Sequence, residues 1–275
     1  MSYTAVMTHV QPDPERAPRL ACAIAIARRF GAEIHGVAAQ LVPPSVFASG
    51  YSGVDADWGA ALNVSIDARM KTAREVFQAA TADFGDKARF ETFLQRPLPV
   101  VAAASRAADL IVAGGAPLGH CDPERDCAPG ELAIRAGRPV LVAPPTAPPL
   151  SAETVLLAWK DSREARRAMT DAMPFFERAS RVVVLGIDGE ADPAQVQVQV
   201  DDVAAALKRR GVKAESKLVR DAHPNGVKIV EQAALEGADL IVSGVYGHRR
   251  FDEWLFGGVS ADLLAQDQAY LMISH

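Results

Sequence analysis

The 275-residue sequence has little cysteine, few aromatic residues and no excess of positive charge. Its three cysteines, Cys22, Cys121 and Cys127, do not suit a disulfide framework, which favours a reducing compartment and hence the cytoplasm. Lys and Arg total 29 against 34 for Asp and Glu, a net charge of −5, which disfavours a nucleic-acid binder and a surface adapted to anionic lipid. The sequence also lacks an apolar run of about 18 residues, as a membrane helix requires, and the basic-then-apolar pattern of a secretion signal.

The composition that remains is that of a folded globular protein with more than one domain. Apolar residues make up 49% and charged residues 23% of the chain. The sequence of residues 107–114 is largely repeated at residues 237–244. At the same spacing, the apolar segment 140–142 aligns with the apolar segment 270–272. Such internal similarity indicates a duplicated unit.

The duplication sets the expected domain boundaries. Residues 5–9 align with residues 155–159 at a larger spacing than the repeated segments just described. The first half must therefore hold an insert, which we place at residues 43–62. The proline-rich segment 143–151 is typical of a stiff linker. We therefore expect domains at 1–145 and 152–275.

Each half alternates short apolar strands with amphipathic helices. In the second half the pattern predicts strands at 154–159, 181–187, 214–219, 239–244 and 270–273, and helices at 162–178, 196–210, 225–236 and 260–266. Alternation of this kind requires right-handed crossovers and parallel strands. The predicted fold class is α/β, with two doubly wound domains in tandem.

A glycine-bearing loop follows the fourth strand of the second half. Open parallel sheets bind ligands beyond the carboxyl ends of their strands. Gly244 and Gly247 can let a phosphate approach the backbone, while Gly257, Gly258 and the first amides of the next helix form an anion site. The remaining candidates are polar or charged: Ser260, Lys160, His248 and Arg249. Tight turns and helix packing would also explain these glycines.

The loop resembles that of the universal stress protein family: Gly-x-x-Gly, nine residues, Gly and a small residue, after a strand ending Asp-Leu-Ile-Val. The resemblance implies two tandem flavodoxin-like (adenine nucleotide alpha hydrolase-like) domains, each a five-stranded parallel sheet of order 3-2-1-4-5 with helices on both faces. It also implies pairing through the fifth strands and binding of ATP, with Mg²⁺. Taken together, the chemistry of this edge and the resemblance give as candidate nucleotide-binding residues Lys160, Asp161, Ser162, Ile187, Gly244, Gly247, His248, Arg249, Gly257, Gly258, Val259 and Ser260.

Two positions of the second half depart from the family pattern. Nucleotide-binding members place an Asp at the end of the first strand, where this chain has Lys160 or, one step later, Asp161. The family's Ser or Thr after the third glycine is Gly258 here, and Ser260 keeps a hydroxyl two places on. Phosphate binding survives these changes better than adenine or ribose recognition, because an extra glycine still fits an anion-binding nest.

The first half lacks the loop. It has Gly114 and Gly115 followed by Pro117, which removes an amide donor and fixes φ near −65°. Cys127 and Ala128 replace the glycines before the helix. We expect this half to be a degenerate, mainly structural copy.

The leading functional hypothesis is a nucleotide-responsive stress protein and not a dedicated enzyme, with no catalytic or metal-ligating residue assigned. Its partners would be adenine nucleotide, an unidentified protein and, if chains pair, a second copy. The alternatives are an interaction module whose sites have both decayed, a slow ATPase, and a redox sensor in which the start of a helix lowers the pKa of Cys127. His120, Cys121 and Cys127 would also make an incomplete zinc site.

Overall fold

The computed structural model describes residues 2–13, 17–42, 56–115, 121–146, 148–189, 191–221, 226–245 and 258–275, with the backbone alone for 56–62. The first half comprises β1 Ala5–His9, α1 Ala17–Phe30, β2 Glu33–Ala39, α2 Ala56–Ala80, β3 Ala88–Phe93, α3 Pro97–Ala104, β4 Leu110–Gly114, α4 Pro129–Ala136 and β5 Val140–Ala143. The second comprises β6 Thr154–Trp159, α5 Arg163–Asp171, α6 Met173–Phe176, β7 Arg181–Ile187, α7 Pro193–Lys208, β8 Ala214–Val219, α8 Gly226–Glu236, β9 Leu240–Gly244, α9 Gly258–Ala265 and β10 Tyr270–Ser274.

The strands of this described part form one sheet in the order β3-β2-β1-β4-β5-β10-β9-β6-β7-β8. Within each half the strands are parallel and follow the predicted order 3-2-1-4-5. The fifth strands β5 and β10 pair antiparallel, with Val142 opposite Leu271 and Leu141 opposite Met272. The α/β fold class is confirmed, and the two parallel sheets merge into one mixed sheet.

The strand register corrects the predicted alignment of the two halves. Val6 lies opposite Leu110, and Val155 lies opposite Leu240, so Val155 is the counterpart of Val6. The alignment of residues 5–9 with 155–159 is therefore wrong by one residue. Both segments are largely buried, and only the neighbouring strand distinguishes their register. In the corrected alignment the counterpart of Lys160 is Gln11.

Several predicted helix boundaries are also wrong. The helix expected at 162–178 divides into α5 and α6 at Ala172, because Pro174 has no amide to donate and its ring clashes with the preceding turn. Helix α2 begins at Ala56, so the end of the predicted insert at 43–62 is helical, and residues 43–55 lie outside the described residues. Helix α9 begins two residues before Ser260. None of the described helices is long and apolar enough to cross a membrane.

Two apolar cores cover the faces of the sheet. One holds side chains of α1, α2, α5, α6 and α7 over strand residues such as Leu110 and Val155. The other holds side chains of α3, α4, α8 and α9 over strand residues such as Met7 and Ile241. Each core contains residues of both halves, so the halves share their packing as well as their sheet.

Aromatic rings and arginines join the halves on the first of these faces. The rings of Phe30 and Phe175 pack edge to face, with centroids 5.4 Å apart, and Tyr3 packs 4.9 Å from Phe30. The guanidinium of Arg178 lies 4.2 Å from the Phe30 ring, and that of Arg29 lies 5.9 Å from the Phe175 ring. Each half therefore places a cation over a ring of the other half, an arrangement that stabilises the junction.

The aspartate of the repeated Asp-Leu-Ile-Val segment has a structural role in both halves. Asp109 accepts hydrogen bonds from the amide and hydroxyl of Thr4, at 2.7 and 2.6 Å. Asp239 accepts them from the amide and hydroxyl of Ser151, both at 2.8 Å. Each carboxylate thus connects the start of the fourth strand of its half to a residue just before the first strand of the same half.

We predict that Asp109→Asn destabilises the protein by about 1 kcal/mol at neutral pH, because a hydrogen bond to a charged acceptor is stronger than one to an amide. Burial opposes ionisation of Asp109, but hydrogen bonds from Thr4 and Ala5 outweigh it and lower its pKa. That stabilisation is present above the ordinary carboxyl pKa of about 4 and is lost as the pH falls through the folded value. Urea unfolding at several pH values should show the difference shrinking below about pH 4, whereas the exposed control Asp86→Asn should show no difference. An effect of Asp109→Asn that does not change with pH would contradict this assignment.

Candidate functional site

The carboxyl ends of β6 and β9 mark the point where the strand order of the second half reverses. These two strands are neighbours, but the helices that follow them, α5 and α9, pack on opposite faces of the sheet. Such a point opens a crevice at the sheet edge and is where doubly wound sheets bind ligands. The residues that border it decide what it can hold.

Gly244, at the end of β9, is in contact with the first turn of α5. A Cβ at this position would lie 2.5 Å from the amide nitrogen of Ala165 and 2.5 Å from the carbonyl carbon of Glu164. No side chain fits at this distance from the main chain. This contact explains a glycine at position 244 without any ligand.

The amino terminus of α5 is satisfied by its own side chains. Ser162 caps the helix, its Oγ accepting a hydrogen bond from the amide of Ala165 at 3.2 Å. Glu164, with 9% of its side chain exposed, pairs with Arg163. Burial favours the neutral form of Glu164, but hydrogen bonds from its own amide, Ser162 and Arg163 prevail and lower its pKa. The resulting carboxylate occupies the positive end of the helix dipole, so this terminus is unsuited to a further anion.

The amino terminus of α9 is open by comparison. Helix α9 begins at Gly258, and a Cβ added there would meet no atom of the described residues within 4 Å, residues 246–257 lying outside that part of the chain. Val259 and Ser260 follow in the first turn and are partly buried. The first amides of a helix have no partner inside the helix and point toward an anion. Of the two helix termini described at this edge, that of α5 carries an acidic side chain in its first turn and that of α9 carries none.

The other predicted site residues at this edge are charged or apolar. Lys160 and Asp161 follow β6, and Asp161 forms an ion pair with Arg166. Ile187 ends β7 and is partly buried. The structure therefore brings Lys160, Asp161, Ser162, Ile187, Gly244, Gly258, Val259 and Ser260 to one edge of the sheet. Gly247, His248, Arg249 and Gly257 lie outside the described residues.

Two buried polar atoms near the edge lack hydrogen bonds. They are Nε1 of Trp159, at the end of β6, and Oγ of Ser274, at the end of β10. Buried donors and acceptors are almost always paired with protein, water or a ligand. Sequence reasoning assigned Trp159 to the core and did not consider Ser274, because neither residue belongs to a phosphate-binding pattern.

The corresponding edge of the first half is filled by its own side chains. Gln11, the counterpart of Lys160, accepts a hydrogen bond from Arg19 at 2.8 Å and donates to the Arg125 carbonyl at 2.8 Å. Asp13 pairs with Arg69 at 2.6 Å and with Arg125 at 3.2 Å. The hydrogen bond from Arg69 is the main reason that the pKa of Asp13 is lowered. These five polar residues come from three segments far apart in the chain, around positions 11–19, 69 and 125, so no local pattern could have revealed their contacts.

The environment of Cys127 bears on the redox alternative. Burial raises the pKa of Cys127 to about 12, so the lowered pKa expected from the nearby helix start is wrong. The cause is the loss of solvent around the thiol, which disfavours the thiolate more than the helix terminus favours it. No group of three or more His, Cys, Asp or Glu that could hold a metal occurs in the described part, and His120 lies outside it.

Comparison with known proteins agrees with this geometry. The model of the universal stress protein family matches residues 140–266. The second half of the chain is thus similar in sequence to the universal stress protein family. The match includes β6, β9 and α9, the elements that form the candidate site. No curated protein matches the sequence.

Solved structures show that the likeness in fold extends over the whole chain. A universal stress protein from Archaeoglobus fulgidus is 15% identical with a TM-score of 0.71, covering 98% of this chain and 95% of its own. A functionally unknown protein from Pseudomonas aeruginosa is also 15% identical, with a TM-score of 0.59 and coverage of 99% and 92%. At these identities the likeness concerns the fold alone. It extends over nearly the full length of this chain and of both solved proteins. The resemblance to universal stress proteins stated from the glycine loop is confirmed.

The two glycines of the site should respond in opposite ways to a methyl group. Gly244→Ala forces β9 and α5 apart and should destabilise the protein by about 2 kcal/mol, as overpacking does. Gly258→Ala adds its methyl to open space and should change stability by less than about 0.5 kcal/mol or raise it slightly. Thermal and urea unfolding of both variants would test this pair. Equal effects of the two variants would show that the packing assigned to Gly244 is wrong.

We predict that Cys127 is unreactive in the folded protein. With a pKa of about 12, its thiolate fraction at pH 8 is about one part in ten thousand, and the thiolate is the reactive form. Iodoacetamide at pH 8, followed by peptide mass spectrometry, should label Cys127 at least tenfold more slowly in native protein than in urea. Rapid native labelling of Cys127 would instead support the redox alternative.

Proposed function

We propose that this protein is a stress protein that binds ATP, or a closely related adenine nucleotide, at the carboxyl edge of its second half. The phosphates would lie at the amino terminus of α9, against the amides from Gly258 to Ser260, with Gly247 and Gly257 in the preceding loop. The observation that carries the proposal is the open terminus of α9 at the strand-order reversal, within the segment that matches the family.

The charges at the edge support an anionic ligand. Lys160 follows β6 and would attract phosphate, with His248 and Arg249 as further candidate donors. The terminus of α5 is already neutralised by Glu164, so the positive end of α9 is the stronger attraction. Ile187 offers partly buried apolar surface for the base. Mg²⁺ would enter with the nucleotide and reduce its charge.

We propose one nucleotide per chain. In the first half, Arg19 donates to Gln11, and Arg69 and Arg125 donate to Asp13, at the edge where a ligand would enter. Binding there would require breaking these charge-assisted hydrogen bonds, each of which contributes about 1.5–3 kcal/mol. The first half would then serve as a structural copy.

Binding would act by a shift in conformational population. Because the halves share one sheet and two cores, a nucleotide that prefers one packing of these elements would stabilise it throughout the chain. A protein partner that recognises this packing would then bind in a nucleotide-dependent way. The proposed location of the protein is the cytoplasm. The three cysteines are free thiols in the structure, in agreement with a reducing compartment.

Gly258→Asp is the decisive variant for nucleotide binding. Asp in the first turn stabilises a helix through its dipole, so the fold should be as stable as the wild type or slightly more so. The same carboxylate would repel phosphate, and we expect the affinity for ATP to fall at least tenfold. Calorimetric titration with ATP and Mg²⁺ measures the affinity, with Gly258→Ala as the matched neutral control.

The wild-type titration separates the alternatives. Saturable binding at one nucleotide per chain, weakened by Gly258→Asp and kept by Gly258→Ala, would support the proposal. An absence of binding at millimolar ATP would overturn it and favour an interaction module. Conversion of bound ATP to ADP faster than spontaneous hydrolysis, dependent on Mg²⁺, would favour the slow ATPase.

A further inference from the structure

The helix that offers the open terminus is held by its neighbour α8. The amide of Gly226, the first residue of α8, donates a hydrogen bond to Oδ2 of Asp262 in α9 at 3.1 Å. A Cβ at position 226 would lie 2.5 Å from Cβ of Asp262 and 2.7 Å from the carbonyl oxygen of Val259. The start of α8 is thus packed directly on the main chain of α9.

This contact fixes the middle of α9 and leaves its first residue free. On the sheet side, Leu263 and Leu264 are buried in the second core. On the α8 side, Gly226 touches α9 from Val259 to Leu263. A Cβ added at Gly258, the residue directly before Val259, would meet no atom of the described residues within 4 Å. The direction in which the first amides of α9 point is therefore set by the contact with α8.

The position of Asp262 also limits the electrostatic repulsion between its carboxylate and a bound anion. A carboxylate about one helical turn from a phosphate would repel it. Here the carboxylate accepts a hydrogen bond at the positive amino end of α8, which offsets part of its negative charge. An acidic residue can then lie near an anion site while holding the helix in place.

We propose that Gly226 and Asp262 are positioning residues for the nucleotide, aligning the terminus of α9 without touching the ligand. This inference rests on the proposed function. Neither residue belongs to the glycine loop or to the positions that departed from the family pattern. Their effect on binding would pass through the orientation of α9.

Three variants test the inference in the full-length protein. Gly226→Ala cannot keep the contact with the Val259 carbonyl and should displace α9. Asp262→Ala removes the hydrogen bond and the charge, whereas Asp262→Asn keeps an oxygen acceptor and loses only the charge. Val227→Ala is the control, since Val227 lies next in α8 with 56% of its surface exposed.

Two readouts are needed for each variant. Amide hydrogen exchange of ligand-free protein reports the mobility of residues 258–264, and calorimetry reports the affinity for ATP with Mg²⁺. We expect Gly226→Ala and Asp262→Ala to exchange at least fivefold faster there and to bind ATP at least fivefold more weakly. Asp262→Asn and Val227→Ala should stay within twofold of the wild type in both.

Each other result overturns the inference in a recognisable way. Faster exchange with unchanged affinity would make the contact purely structural. Tighter binding by both Asp262→Asn and Asp262→Ala would show that the charge of Asp262 acts directly on the ligand. If Gly226→Ala fails to fold, the two Asp262 variants decide. If the wild type does not bind ATP, the proposed function fails and the inference fails with it, whatever the exchange rates show.

Discussion

The antiparallel pairing of β5 with β10 is the constraint on which the rest of the structure depends. It turns two parallel sheets into one and relates the halves by an approximate twofold axis between Val142 and Leu271. The reciprocal stacking of Arg29 on Phe175 and Arg178 on Phe30 joins the same two halves. Without this pairing, neither shared core would be closed.

Within that common plan the two halves use their carboxyl edges differently. The first half fills its edge with side chains that bond to one another, and the second half leaves one helix terminus open. The difference arises from few residues. At equivalent positions the first half has Gln11, which bonds to Arg19 and Arg125, and the second half has the cationic Lys160. A duplicated fold can thus keep its architecture while the side chains at equivalent edges diverge.

Much of this architecture could be predicted from the sequence, because the repeat and the alternation of apolar strands with amphipathic helices are strong local signals. The strand order followed from the resemblance in the glycine loop. The register of β1 could not be predicted, since its apolar residues are interchangeable until a neighbouring strand pairs with them. The packing of Gly244 on α5 and of Gly226 on α9 also escaped prediction, because each depends on main-chain contact between distant segments.

The covalent connection between the fifth strands has a consequence for the cell. Where two such strands belong to separate chains, their pairing follows mass action and weakens on dilution. Here both lie in one chain, so the effective concentration of one half near the other is fixed by the linker and does not vary with expression level. The two halves are therefore paired one to one at any expression level of the protein. A signal carried by the paired halves would be proportional to the concentration of chains, whereas that of a weak dimer of separate chains would be proportional to the square of this concentration.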